Sequence, residues 1–178
     1  MDLTTEVCAE ASHTRERLSI DRLMRTEIAF EESSGQSSPL KSLYLAWLSN
    51  PKADPDTQII ERPYLHSRAR ESLSIPWIDV SDEWPLDYVL HDHNGITFGD
   101  HSGQRVAEYP VWTHARWCAI EYEQCKNEEV PVAHYIDQTI RGVYREYLRL
   151  LVPVLSESTG VQKIFYSYRV LTPPQAAP

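Results

Sequence analysis

Apolar positions recur at every second residue through much of the last third of the chain, residues 130–171. Gly142 and the polar stretch 156–160 divide this region into three segments. The alternating residues are Val132, His134, Ile136 and Ile140, then Leu148, Leu150, Val152 and Val154, then Ile164, Tyr166, Tyr168 and Val170. A two-residue period is typical of a strand with one buried face. The pattern therefore predicts three consecutive antiparallel strands.

Two helices are predicted upstream of these strands. Before the first strand, an apolar stripe with spacings of four, three, four and three residues consists of Val111, Ala115, Cys118, Tyr122 and Cys125. This spacing places the five residues on one side of a helix, facing the sheet. An earlier helix begins at Pro39, a favoured first helical residue, and ends at Asn50-Pro51.

The remaining chain is less regular. Residues 75–80, 86–90 and 96–98 contain strand-like pieces, and residues 31–38 are typical of a linker. Near the start, Ile20, Leu23, Met24 and Ile28 have helical spacing after Ser19. This predicts a flanking helix that packs on the domain or on a second subunit; a partly ordered tail is the alternative.

The order of two strands, short helical connections, a longer helix and three strands resembles the PAS fold. Three stretches are similar to a stand-alone PAS-like family of alphaproteobacterial type: 44–55, 86–105 and 144–160. The resemblance covers about residues 40–171 and implies an α+β fold. We expect a five-stranded antiparallel sheet with helices packed on one face, formed by residues 39–172. An N-terminal helical extension and linker (1–38) and a disordered tail (173–178) would flank it.

Composition narrows the class of protein. The chain has 178 residues, of which 42% are hydrophobic, so one domain with a real core is expected. Its net charge of −9 argues against nucleic-acid binding. The longest apolar run, 150–155, is too short to cross a bilayer and contains Pro153. An odd number of cysteines, three, and the lack of a signal-peptide pattern at the start predict a cytoplasmic protein without disulfides.

Two histidine patterns suggest bound metal or cofactor. His91 and His93, followed by His101 in the next turn, have side chains that suit zinc or iron. They support an alternative function as a metal-dependent small enzyme. His114 lies on the helix whose histidine ligates iron in haem-binding PAS proteins, so the resemblance allows haem there. The sequence requires no cofactor: the ordinary explanation is that His91, His93 and His101 belong to polar turns and that His114 lies at the edge of the apolar stripe of its helix.

The resemblance implies a non-catalytic sensory or regulatory module. Its output would be a protein partner or self-association as a homo-oligomer such as a dimer, and a small ligand could occupy the PAS cavity. The candidate pocket residues are Trp117, Tyr135, Tyr166 and Tyr168, although aromatic side chains could also fill the cavity completely. The candidate interface residues are Ile20, Leu23, Met24 and Ile28, together with Tyr147 and Phe165 on the outer face of the sheet.

Overall fold

The computed structural model describes residues 22–28, 39–55, 75–91, 94–95, 99–140 and 142–176. Its strands are β1 (Arg22–Glu27), β2 (Trp77–Asp79), β3 (Val89–His91), β4 (Asn94–Gly95), β5 (Gly99–Asp100), β6 (Val132–Ile140), β7 (Val143–Val154) and β8 (Lys163–Ala176). Its α-helices are α1 (Pro39–Ser49) and α2 (Trp112–Glu128). Helices α1 and α2 and the three C-terminal strands confirm the corresponding predictions. Residues 96–98 lie outside the described ranges.

An antiparallel sheet organises the chain in the order β1-β6-β7-β8-β2-β3. Its last strand, β8, lies between β7 and β2, so the two ends of the domain meet in one sheet. The expected α+β class is confirmed, and the five strands of this sheet other than β1 form the expected five-stranded antiparallel sheet; β4 and β5 pair separately. Strand β3 begins later than predicted because Pro85–Asp87 first form a short 3-10 helix.

The two helices cover opposite faces of the sheet, and the prediction that helices pack on one face is wrong. The α2 face presents Val132, Leu151 and Tyr166, which pack in one core with Ala115 and Tyr122 of α2. The α1 face presents the residues of a second core: Ala133, Leu148, Leu150, Val152 and Phe165, packed on Leu40 and Leu43. The reason is visible in β7, where residues 147–153 are all buried. A strand covered on both faces is apolar at consecutive positions, not at alternate ones.

Helix α1 is fixed to the sheet by both apolar and polar contacts. Leu40 and Leu43 are fully buried, and Trp47 Nε1 donates a hydrogen bond of 2.8 Å to the carbonyl oxygen of Pro153 in β7. Proline has no backbone N–H to donate, but its carbonyl oxygen can still accept a hydrogen bond. Helix α1 therefore covers the face of the sheet that was predicted to carry no helix.

The prediction of an N-terminal helix is wrong for the described residues of that segment, because Arg22–Glu27 form strand β1. This strand pairs antiparallel with β6, from Arg22 beside Thr139 to Glu27 beside His134. A short isolated helix is marginally stable, whereas the edge of β6 offers a full row of backbone partners. Residues 22–27 therefore belong to the same sheet as the domain.

The predicted disordered tail is also wrong for residues 173–176, which continue β8. Gln175 pairs with Tyr144, and Ala176 pairs with Val143. The ladder is irregular between Tyr144 and Glu146, opposite the two prolines at 173 and 174. Because proline cannot donate to the ladder, it is tolerated at such an irregularity.

Candidate functional site

Three ionisable side chains meet in the interior between α2 and the sheet. Glu121 comes from α2, His134 from β6 and Arg149 from β7. Arg149 Nη2 donates to Glu121 Oε2, and His134 Nε2 lies 3.9 Å from Glu121 Oε1. The side chains of Glu121 and Arg149 are only 4% and 7% exposed. We refer to these three residues as the ionic network.

Local sequence and strand register together place the network. Glu121 lies on the buried side of α2, flanked by Cys118, Tyr122 and Cys125 at helical spacing. The antiparallel register sets His134 directly beside Arg149. Residues opposite each other on neighbouring strands share a face, so both side chains meet α2 on the same side of the sheet.

A thiol, an imidazole and a phenol extend the network toward the start of α2. Cys118 Sγ lies 3.8 Å from Arg149 Nη1 and 3.5 Å from His114 Nε2. The His114 ring meets the edge of Tyr109, with ring centroids 5.0 Å apart, and His101 contacts Tyr109 at 5.4 Å. A continuous line of buried polar side chains thus joins the ionic network to the loop before α2.

The electrostatics of this interior favour one ion pair among neutral groups. Burial opposes the charge of Arg149, but the Glu121 carboxylate outweighs it and holds the Arg149 pKa well above its usual value. Burial raises the pKa of Tyr109, Tyr122 and Tyr166, so these phenols stay protonated. The guanidinium carbon of Arg149 also lies 5.5 Å from the Tyr122 ring centre, a cation–π contact.

The Nε–H of Arg149 has no acceptor among the described residues. Arg149 Nε is buried and makes no hydrogen bond to any residue in the part of the chain that the structure describes. Guanidinium groups present five N–H donors, and buried donors are normally paired with protein, water or a bound molecule. The network therefore retains hydrogen-bonding capacity in its interior.

The four predicted pocket residues do not line one site. Tyr166 is buried on the α2 face, where Tyr168 packs beside the same core. Trp117 is 42% exposed on α2. Tyr135 lies on the α1 face and donates to Glu146 Oε1 at 2.6 Å. The structure therefore brings two of the four together, because the register sends Tyr135 to the other side of the sheet.

The two interface residues predicted on an outer sheet face are both buried, so that prediction is wrong. Tyr147 lies on the α2 face, where Gln138 Nε2 contacts its hydroxyl at 3.4 Å. Phe165 lies on the α1 face beneath α1. Of the N-terminal candidates, Ile28 packs half-buried against the α1-face core, while Leu23 and Met24 lie in β1 and Ile20 lies outside the described residues.

The predicted metal-binding histidines are divided between the two faces. His91 stacks on Trp77 on the α1 face, with ring centroids 3.9 Å apart, whereas His101 contacts Tyr109 of the α2-face core. His93 lies outside the described residues. Within the ranges that the structure describes, no three His, Cys, Asp or Glu side chains are grouped to hold a metal ion. His114, the predicted haem ligand, is 4% exposed between Cys118 and Tyr109.

Glu121 and Arg149 were not among the predicted site residues; the sequence contains a signal for Glu121 but none for Arg149. Glu121 interrupts the inward stripe of α2 next to Tyr122, at a position where a surface carboxylate is not expected. Arg149 lies between Leu148 and Leu150, and the alternation that makes those leucines inward makes Arg149 outward. Only the covering of both faces turns that outward position into an interior one.

Comparisons of the chain with protein-family models, with curated proteins and with solved structures find no match. Neither α-helix in the described part of the chain is long and apolar enough to span a membrane.

Proposed function

We propose that this chain is a non-catalytic, PAS-like regulatory module that senses a small ligand and signals through a protein partner or a second copy of itself. The order of elements supports the PAS assignment: hairpin strands β2 and β3, short 3-10 helices, the long helix α2 and three strands. The buried thiols of Cys118 and Cys125 form no disulfide in the described part of the chain, which fits a reducing compartment, the cytoplasm.

The observation that carries the proposal is the ionic network between α2 and the sheet. Removing two charges from water costs several kcal/mol per ion, and apolar side chains of similar volume are often at least as stabilising. Glu121 and Arg149 nevertheless occupy the interior that would form the PAS cavity. Their retention there favours a role in recognition beyond packing.

Arg149 indicates the chemistry of the ligand. Its Nε–H is the donor without an acceptor among the described residues, and Glu121 already neutralises its charge. A molecule that presents a carbonyl or carboxylate oxygen would complete the hydrogen bonding of this group. Binding would then act on α2, since Glu121 on that helix shares the same guanidinium.

A non-catalytic role agrees with the burial of the groups that could act as nucleophile or base. Cys118, His114 and Glu121 are 1%, 4% and 3% exposed. Glu121 is already the ion-pair partner of Arg149, so its carboxylate is engaged and is not available as a general base. We therefore assign these side chains to sensing and not to turnover.

Native mass spectrometry of the untagged full chain, beside its denatured mass, tests the proposal. We expect an added small-molecule mass that is lost on denaturation. Arg149→Lys keeps the positive charge but lacks the Nε–H and the planar fork, so the bound fraction should fall. Arg105→Lys changes an exposed arginine that pairs with Asp87 and serves as the matched control.

Two results would contradict the ligand-sensing function. One is a native mass equal to the denatured mass in the wild-type protein. The other is equal ligand occupancy in the Arg149→Lys and wild-type proteins. An added mass that corresponds to a metal ion would instead favour the alternative of a metal-dependent enzyme.

A further inference from the structure

The outer side of α2 exposes three large apolar residues. Trp112, Trp117 and Ile120 are 56%, 42% and 50% exposed. Single exposed apolar residues are common, but aromatic side chains are enriched at protein interfaces, and two of these three residues are tryptophans. This face lies directly opposite the stripe that contacts the ionic network.

Two charges lie on the same face, on either side of Ile120. Arg116 precedes Ile120 by four residues, and Glu123 follows it by three, so all three share one line along the helix. Both charged residues are exposed, and neither makes a hydrogen bond or ion pair with any part of the chain that the structure describes. Along α2, this face therefore presents a positive, an apolar and a negative side chain in turn.

We propose that this face binds the same face of a second copy, with the two α2 helices antiparallel and Ile120 near the two-fold axis. A two-fold interface must be self-complementary. Reversing the direction of the second helix places Arg116 beside Glu123 of the partner subunit, and the same pair forms again across the axis. Trp117, three residues before Ile120, would shield the centre from water, and Trp112, one turn before Arg116, would lie toward the edge of the interface. The inference rests on the proposed function, which allows output through a second copy, and specifies the surface that joins the two copies; the dimer itself does not depend on a bound ligand.

Sedimentation velocity of the full chain over a range of concentrations is the first test. We expect a reversible dimer for the wild-type protein. Ile120→Glu places two carboxylates at the axis and should raise the dimer Kd by about 100-fold. Leu45→Glu makes the same change at a 52% exposed position on α1 and should leave Kd unchanged.

Charge exchange tests the antiparallel geometry. Arg116→Glu and Glu123→Arg should each raise Kd by about tenfold, because each sets two like-charge pairs across the axis. The double variant, which restores opposite charges, should recover the wild-type Kd. Mixing the two single variants should produce a heterodimer, since both of its cross-axis pairs are complementary.

A wild-type protein that stays monomeric at every concentration would overturn the proposal. So would a dimer whose Kd is unaffected by Ile120→Glu, or one whose charge variants are not rescued by exchange. Circular dichroism would confirm that each variant is folded; should Ile120→Glu unfold, the charge variants still provide the test. Ligand occupancy of the folded monomeric variants, measured by native mass spectrometry, separates failure of this interface from failure of the ligand-sensing function.

Discussion

Replacement of Arg149 by Met tests whether the Glu121–Arg149 ion pair is shielded from water in solution, as its burial in the structure indicates. The substitution removes a guanidinium whose side chain is 7% exposed and leaves the Glu121 carboxylate, 4% exposed, without its cation. An uncompensated buried charge of this kind destabilises a protein by about 3–5 kcal/mol. For a chain of this length, the loss corresponds to a fall in Tm of roughly 6–20 °C.

The double variant Glu121→Leu with Arg149→Met sharpens the prediction. Because it removes both charges and keeps apolar volume, it should be more stable than either single variant. Equilibrium unfolding in urea for the wild type, both single variants and the double variant forms a double-mutant cycle. The coupling energy from that cycle isolates the Glu121–Arg149 interaction from the packing of each side chain.

Arg105→Met is the matched control, since Arg105 also pairs with a carboxylate, that of Asp87, but is 62% exposed. Exposed ion pairs contribute at most about 1 kcal/mol, so this variant should differ little from the wild type. An equal loss of unfolding free energy in Arg149→Met and Arg105→Met would refute the reasoning, because the two ion pairs would then be equally hydrated.

Two further predictions concern the α1 face and the β6–β7–β8 ladder. Leu43→Ala should lower the free energy of unfolding by about 2–5 kcal/mol because Leu43 is fully buried under α1, whereas Leu45→Ala on the exposed side should change it by less than about 0.5 kcal/mol. Equal effects in urea unfolding would show that α1 does not cover the sheet. Hydrogen bonds from Thr172 and Tyr135 lower the pKa of Glu146 below its ordinary 4.5, so its ionised form stabilises the fold above that pH and the stabilisation is lost as pH falls. Glu146→Gln should therefore lower Tm at neutral pH, with a difference from the wild type that shrinks below pH 4.5; a difference constant with pH would contradict it.

Local spacing was sufficient to predict the elements of the domain. The stripe from Ala115 to Cys125 predicted both α2 and its buried side, and Pro39 predicted the first residue of α1. The alternation around Gly142 predicted the β6–β7 hairpin, whose turn uses a glycine with φ +71°. These features depend on residues close together in the chain, so a pattern of residue types carries them.

The assembly of those elements depended on contacts that no local pattern contains. Residues 22–27 have helical spacing yet become a strand, because the open edge of β6 offers backbone partners more than a hundred residues away. The covering of both sheet faces likewise moved Phe165 and Tyr147 from an expected surface to the interior.

The ionic network shows most clearly which features depend on local spacing and which depend on tertiary contacts. Glu121 and Arg149 are 28 residues apart, on a helix and on a strand. Local spacing placed Glu121 beside the inward stripe of α2 and placed Arg149 among leucines, at a position expected to face outward. The register of β6 with β7 and the docking of α2 determined that they meet, because only tertiary packing selects which two surfaces exclude water from a pair of charges.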